Sequence, residues 1–297
     1  IVPFIIAPYY SVIGGWVTKY LVAFVTGDAH TAASDTYFTD FIARPVEPIV
    51  YFLIFIALAC VIVFFGVDKG VEKTSKFMMP VLVVLTLFVA VYSIFMPGAM
   101  EGVKYYLTPD FSHFSATTVL AAMGQLFYSM SLAMGIMITY GSYMKKDVSL
   151  ESSVHQIEIF DTGIAFLAGL MIIPSVFAFS GGDEAALGKG PGLMFVTLPK
   201  VFDSMKGGTV IGALFFLLVL FAALTSAISL VETLVSFLVD KTRIGRKPAC
   251  GFIFLFCLVM GIPSSLGFGV WSGVSVANMT ILDMCDFVSN SILMPIV

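Results

Sequence analysis

Charge is scarce in this chain. Only 11% of its 297 residues are Asp, Glu, Lys or Arg, against about 25% in a typical soluble domain. So small a share excludes an ordinary soluble fold, and it leaves no basic patch for a nucleic-acid partner. Histidine and cysteine are also few. His30, His113 and His155 are read as loop residues without zinc-ligand spacing, and Cys60, Cys250, Cys257 and Cys285 lie in or beside apolar segments. The thiols are expected to be free and to pack as small apolar groups. No phosphate loop, nucleophile elbow or catalytic dyad is present, so no enzyme is expected.

What fills the chain is apolar. Hydrophobic residues make up 59% of it, and the mean hydropathy is +1.02. About 20 apolar residues span a bilayer. By that rule eight spans are expected, near residues 1–26, 46–66, 77–97, 116–143, 157–180, 208–239, 248–267 and 278–297. The fold class is all-α, a polytopic protein of a cell membrane. Nine basic residues (Lys69, Lys73, Lys76, Lys145, Lys146, Lys241, Arg243, Arg246 and Lys247) fall in three short loops. Five others (Arg44, Lys104, Lys189, Lys200 and Lys206) fall in the alternate, longer loops. The positive-inside rule makes the first three loops cytoplasmic. The longest outer connection, residues 181–207, is read as an extracellular lid; a passive cap fits its composition equally. The chain begins and ends within apolar segments and is read as one transmembrane domain, residues 1–297, of a longer protein.

Three polar groupings interrupt the spans. The first is Gly124-Gln125-Leu126-Phe127-Tyr128-Ser129-Met130-Ser131-Leu132-Ala133-Met134-Gly135. A helix break at membrane depth is tolerated where it is buried in protein or lines a cavity, and such breaks set free carbonyls beside a solute or ion. The competing reading is a glycine-kinked helix whose serines bond back to their own carbonyls. The second is Ala222, Thr225, Ser226 and Ser229, spaced i, i+3, i+4, i+7 along one helix face. This small stripe suits close helix packing and, equally, a hard cation that prefers oxygen ligands. The third is a set of acids within or beside spans, which are costly there and usually functional. Asp161 is read as a cation ligand rather than an N-cap. Glu232 lies toward the inner end of the stripe helix, and Asp240 ends it. Asp283 and Asp286 sit one turn apart in the last span, either gating a vestibule or facing water.

In this order the groupings resemble the neurotransmitter:sodium symporter family, its bacterial amino-acid transporters in particular. Tyr9-Tyr10-Ser11-Val12-Ile13-Gly14-Gly15-Trp16 looks like that family's third helix. Gly124 to Tyr143 looks like the sixth, Phe221 to Ser226 the eighth, and Leu282 to Phe287 the tenth. The resemblance implies an inverted-repeat transporter fold with a discontinuous helix. It is incomplete here, because helices three to ten of twelve are matched and the broken first helix is not. By this resemblance Tyr10 binds a substrate carboxylate, with Tyr9, Ile6 and Ile13 beside it on the same helix. Tyr128 is the lid over the substrate. Ser131, Met134, Ser226 and Leu230 line the side-chain pocket. Ser129 and Asp161 hold a first sodium ion, while Ala222, Thr225 and Ser226 hold a second, both sites incomplete in this fragment. Asp286 is the outer-gate acid, and Tyr143 and Asp240 are inner-gate residues.

The implied function is sodium-coupled amino-acid symport by alternating access. Asp161 stands where many members have asparagine, and its fixed charge predicts chloride independence. Met134 stands where an aromatic is common, so the substrate could be leucine, methionine, tyrosine or tryptophan. The fragment alone is not expected to transport. A proton-coupled permease of the same fold and a non-transporting ligand-binding membrane protein are the alternatives.

Overall fold

The computed structural model describes residues 1–187, 190–275 and 277–296. Gly188 and Lys189 of the 181–207 connection, Val276 just before the last expected span, and Val297 at its end lie outside the described residues.

The regular elements are helical. In chain order they are α1 (Val2–Thr26), α2 (Ala29–Ala32), α3 (Tyr37–Ala43), α4 (Glu47–Phe64), α5 (Lys73–Ile94), α6 (Ala99–Leu107), α7 (Ala116–Ser129) and α8 (Ile136–Tyr143). There follow α9 (Leu150–Ser180), α10 (Leu198–Ser204), α11 (Gly208–Lys241), α12 (Arg246–Leu266), α13 (Ile281–Asp286) and α14 (Met294–Ile296). Five stretches are long and apolar enough to cross a bilayer: α4, Val67–Ile94, α9, α11 and α12. The other three expected spans are helical too. They are the 25-residue α1, the interrupted pair α7–α8, and α13 to α14 through a π-helical stretch, Phe287–Leu293.

One boundary moves. The fifth span was expected from residue 157, but α9 begins at Leu150, where the Ser149 side chain caps the helix by accepting from Ser152 N. His155 is therefore helical rather than in a loop, and Asp161 lies eleven residues inside the helix. The Asp161 N-cap reading is excluded.

The centre of the molecule is α1, packed against α4, α11 and α12. Its small residues permit this. A Cβ on Gly15 would come within 2.6 Å of the Phe52 backbone nitrogen on α4, so the close crossing depends on glycine, as in many membrane helix pairs. Along its other end Trp16, Tyr20 and Phe24 are buried against Phe195 and Phe202 of the 181–207 connection and Phe216 of α11. Tyr20 donates its hydroxyl proton to the Phe195 carbonyl at 2.6 Å. Lys200 pairs with Asp35, and His30 Nδ1 lies 2.8 Å from Asp203 Oδ2. The 192–204 half of the connection is thus fastened to α1 and to the 27–45 loop by both apolar and polar contacts.

Candidate functional site

The expected helix break is real. After Ser129 the chain leaves helical geometry, with Ser131 at φ 56, Ala133 at φ 61 and Gly135 at φ 73, and helix resumes at Ile136. Glycine enters the left-handed region freely, but an L side chain there costs on the order of 1 kcal/mol or more. Two such residues within three positions mark a turn held open by its surroundings, the kind of strain that collects at binding sites. The kinked-helix alternative does not describe this segment. Ser129 does not bond back to its own helix; its hydroxyl donates to Asp161 Oδ1 of α9 at 2.5 Å.

The break opens onto the principal cavity of the described residues, of about 1210 Å3, against roughly 300–1,000 Å3 for most small-ligand pockets. Ile6 and Tyr10 enter it from α1. Gln125, Tyr128, Ser129, Ser131 and Met134 enter from the break, and Asp161 from α9. Ala222, Thr225, Ser226, Ser229 and Leu230 enter from α11, and Met79, Pro80 and Leu82 to Val84 of α5 close part of the wall. Tyr10 faces Ser226 across it, and Tyr128 sits beside Tyr9 and Tyr10. Of the residues the resemblance places at the substrate, Tyr9 and Ile13 do not line the cavity. Tyr9 turns to Asp286 instead, and Ile13, almost one turn beyond Tyr10, packs against the apolar core.

On α11 the stripe presents oxygens at one turn. Thr225 Oγ1 donates to Ala222 O at 2.9 Å and Ser226 Oγ to the same carbonyl at 3.2 Å. One carbonyl and two hydroxyls therefore converge on one region of the cavity wall. Such a set is hard and neutral, with lone pairs exposed once the hydroxyls rotate. It fits an alkali cation and offers nothing to a soft metal. The described residues contain no cluster of three or more His, Cys, Asp or Glu that could hold a metal.

The gate candidates divide. Asp286 accepts from Tyr9 Oη at 2.9 Å and from Asn290 Nδ2 at 2.5 Å, which binds α1 to the last span. Asp283 is the N3 partner of the Thr280 N-cap: its backbone N–H donates to Thr280 Oγ1, and its carboxylate accepts from that hydroxyl. Tyr143 donates to Glu232 Oε1 at 2.7 Å. Glu232 is fully buried and pairs with Arg246, whose guanidinium also donates to the Val63 carbonyl at 3.1 and 3.0 Å. Asp240 is exposed at the end of α11 and pairs with no side chain among the described residues. The buried carboxylate at this end of the stripe helix is Glu232, not Asp240. Arg246 and Asn290 carry no signal of these contacts along the sequence: Arg246 reads as a loop charge, and only the proximity of α12 to α11 reveals its partner.

Comparison with known proteins decides the class. Residues 39–296 match the model of the sodium:neurotransmitter symporter family. The chain belongs to this family. It is 36% identical over 295 residues to the uncharacterized sodium-dependent transporter YhdH of Bacillus subtilis, and 31% identical over 309 residues to that named MJ1319 of Methanocaldococcus jannaschii. These alignments take in 98% and 99% of this chain but 64% and 61% of the relatives. The chain thus spans somewhat under two thirds of their length. Human sodium- and chloride-dependent creatine transporter 1 is 30% identical over 252 residues, 79% of this chain and 38% of the relative. The structure of MhsT in complex with L-phenylalanine superposes with a TM-score of 0.87 at 39% identity, covering 99% of this chain and 67% of that one. The family is one of sodium-dependent membrane transporters, not enzymes, and the chain is a multi-pass plasma-membrane protein with an inverted-repeat transporter fold.

Proposed function

We propose that the full-length protein is a sodium-coupled amino-acid symporter working by alternating access. The observation that carries this reading is the shared cavity. The strained break with its Ser129–Asp161 bond, the Ala222, Thr225 and Ser226 oxygens, and Tyr10 and Tyr128 all line it. Tyr10 offers a phenolic proton to a substrate carboxylate, and Tyr128 closes over the substrate. Ile6, Met134 and Leu230 supply an apolar wall, with Ser131 and Ser226 as small polar neighbours. The L-phenylalanine bound by MhsT favours an amino acid with an apolar side chain.

In this reading Ser129 and Asp161 contribute to one sodium site and Ala222, Thr225 and Ser226 to a second, each completed by residues of the longer protein. Asp161 carries the negative charge that makes chloride unnecessary, in contrast to the chloride dependence in the creatine transporter's name. Tyr9, Asp286 and Asn290 hold the outer side, with the 181–207 connection as lid. Tyr143, Glu232 and Arg246 hold the inner side. An ion shifts the balance between inner-closed and outer-closed forms only by binding one of them better, so the two oxygen clusters must change shape between those forms.

The test is uptake of a labelled amino-acid pool by the full-length protein in proteoliposomes, with an inward sodium gradient against a matched potassium control. Sodium-driven accumulation that persists without chloride supports the reading in full. Equal uptake under both cation gradients sinks it; a response to a proton gradient alone would assign Asp161 to proton coupling.

A further inference from the structure

α8 is fastened to α11 by two tyrosines almost one turn apart. Tyr143 reaches Glu232, and Tyr140 Oη lies 3.1 Å from Ser229 Oγ. Distance alone does not say which of the latter two hydroxyls donates, but proton counting does. A serine hydroxyl has one proton, and Ser229 gives it to the Thr225 carbonyl at 3.1 Å. Tyr140 is therefore the donor. A directed relay results, from Tyr140 O–H to Ser229 Oγ, and from Ser229 O–H to the carbonyl of Thr225. The same residue, Thr225, carries one of the three oxygens converging on α11, its own hydroxyl bonded to Ala222 O. The Tyr140 ring is fixed by an edge-on contact with Tyr143, their centroids 6.3 Å apart. Among the described residues α8 packs chiefly on α11, so this relay forms much of what holds the half-helix after the break.

We propose that Tyr140 is a positioning residue that couples the α11 oxygen cluster to the placement of α8. The inference rests on the reading of that cluster as a sodium site. Its physical content is reciprocity: if the relay links the turn at Thr225 to α8, an ion that resets the turn moves α8, and the position of α8 changes the affinity for the ion by the same factor.

The test uses the purified full-length protein, with sodium alone as the ligand and potassium as the control. Sodium binding is read as thermal stabilisation over a concentration series. The position of α8 is read as the maleimide labelling rate of Ser142→Cys, an exposed site on that helix. Tyr140→Phe keeps the ring and deletes only the donor. One net hydrogen bond corresponds to about 3- to 10-fold in an equilibrium constant. Half-saturating sodium is therefore expected to rise about 3- to 10-fold, and the sodium-dependent change in labelling at position 142 to be largely lost. Ser229→Ala is expected to do the same, and the double variant no more than either single one. A residue that merely packs would lower the thermal stability equally with and without sodium and leave the labelling response intact. Unchanged half-saturation in Tyr140→Phe, or additive effects of the two substitutions, would overturn the coupling. If the parent protein shows no sodium stabilisation, the sodium reading of the cluster falls first, and this inference with it.

Discussion

Replacing Glu232 by glutamine is the sharpest test of the inner contacts. Glu232 has no exposed surface, while the Arg246 side chain keeps 28% of its own. The carboxylate accepts from Arg246 Nη1 at 3.0 Å, from Arg246 Nη2, and from Tyr143 Oη at 2.7 Å. Glutamine has almost the same shape but is neutral, and its amide nitrogen cannot accept from the guanidinium. Removing one partner of a fully buried pair costs about 3–5 kcal/mol. Here Arg246 can still reach water and keeps both bonds to Val63 O, so a loss of about 2–3 kcal/mol is expected, below that range. For a chain of 297 residues that corresponds to a drop in melting temperature on the order of 3–5 °C, and to less in the longer full-length protein.

A second variant separates charge from packing. Glu232→Leu with Arg246→Met replaces the pair by apolar groups of similar volume, a change that is often neutral or stabilising. Melting temperature in detergent is the assay, on the full-length protein. The double variant should recover most of the stability lost in Glu232→Gln, while uptake stays impaired because the inner side no longer has its polar closure. If Glu232→Gln melts with the parent protein, the pair is not offsetting the burial of the carboxylate, and its assignment to the inner closure loses its energetic basis.

Three further outcomes are expected. Ala133→Val should destabilise by more than about 1 kcal/mol because a β-branched residue is a poor occupant of the left-handed region, whereas Ala133→Gly should be neutral or stabilising; melting temperatures compare them directly. Thr225→Val deletes one oxygen of the α11 cluster with little change of volume, and should raise half-saturating sodium at least about tenfold if that hydroxyl ligates the ion, since a charge-assisted contact exceeds an ordinary hydrogen bond. Asp161→Asn removes the fixed charge beside Ser129, so sodium-driven uptake should fall in chloride-free buffer and recover when chloride is added; uptake that ignores chloride in this variant would separate Asp161 from charge balance.

The parts of this architecture legible beforehand were those written along one helix. The break was visible because Gly124, Gln125, Ser129, Ser131 and Gly135 crowd a segment that lipid would otherwise dominate. The α11 stripe was visible because Ala222, Thr225, Ser226 and Ser229 repeat at helical spacing. Contacts between helices were not legible in the same way. Arg246 reads as one of several cytoplasmic charges until α12 brings it to Glu232. Asn290 follows Asp286 by one helical turn, but nothing in the sequence announces Tyr9 of α1 as the partner that both of them meet. Ile13 shares a helix with Ile6 and Tyr10, yet a further turn of about 5 Å carries it away from the cavity. The start of the fifth span was misplaced because Ser149 opens a polar first turn, and apolar patterning registers a helix only where it enters the membrane.

The two intramembrane carboxylates illustrate why residue type alone does not assign a role. Both Asp161 and Glu232 sit on helices long and apolar enough to cross the bilayer, where an acid needs compensation. Glu232 has it within the chain, from a guanidinium and a phenol. Asp161 has a hydroxyl, which stabilises a carboxylate by one hydrogen bond but leaves its charge whole, and it makes no ion pair with Lys, Arg or His among the described residues. The remaining charge lines the same cavity as the neutral oxygens of α11, but from a different helix, α9. A cation entering there meets a formal charge at one wall and only dipoles at the other. The two positions should therefore differ in their response to ionic strength. The carboxylate side depends on screening, whereas the hydroxyl side depends on geometry, which the Tyr140–Ser229 relay controls.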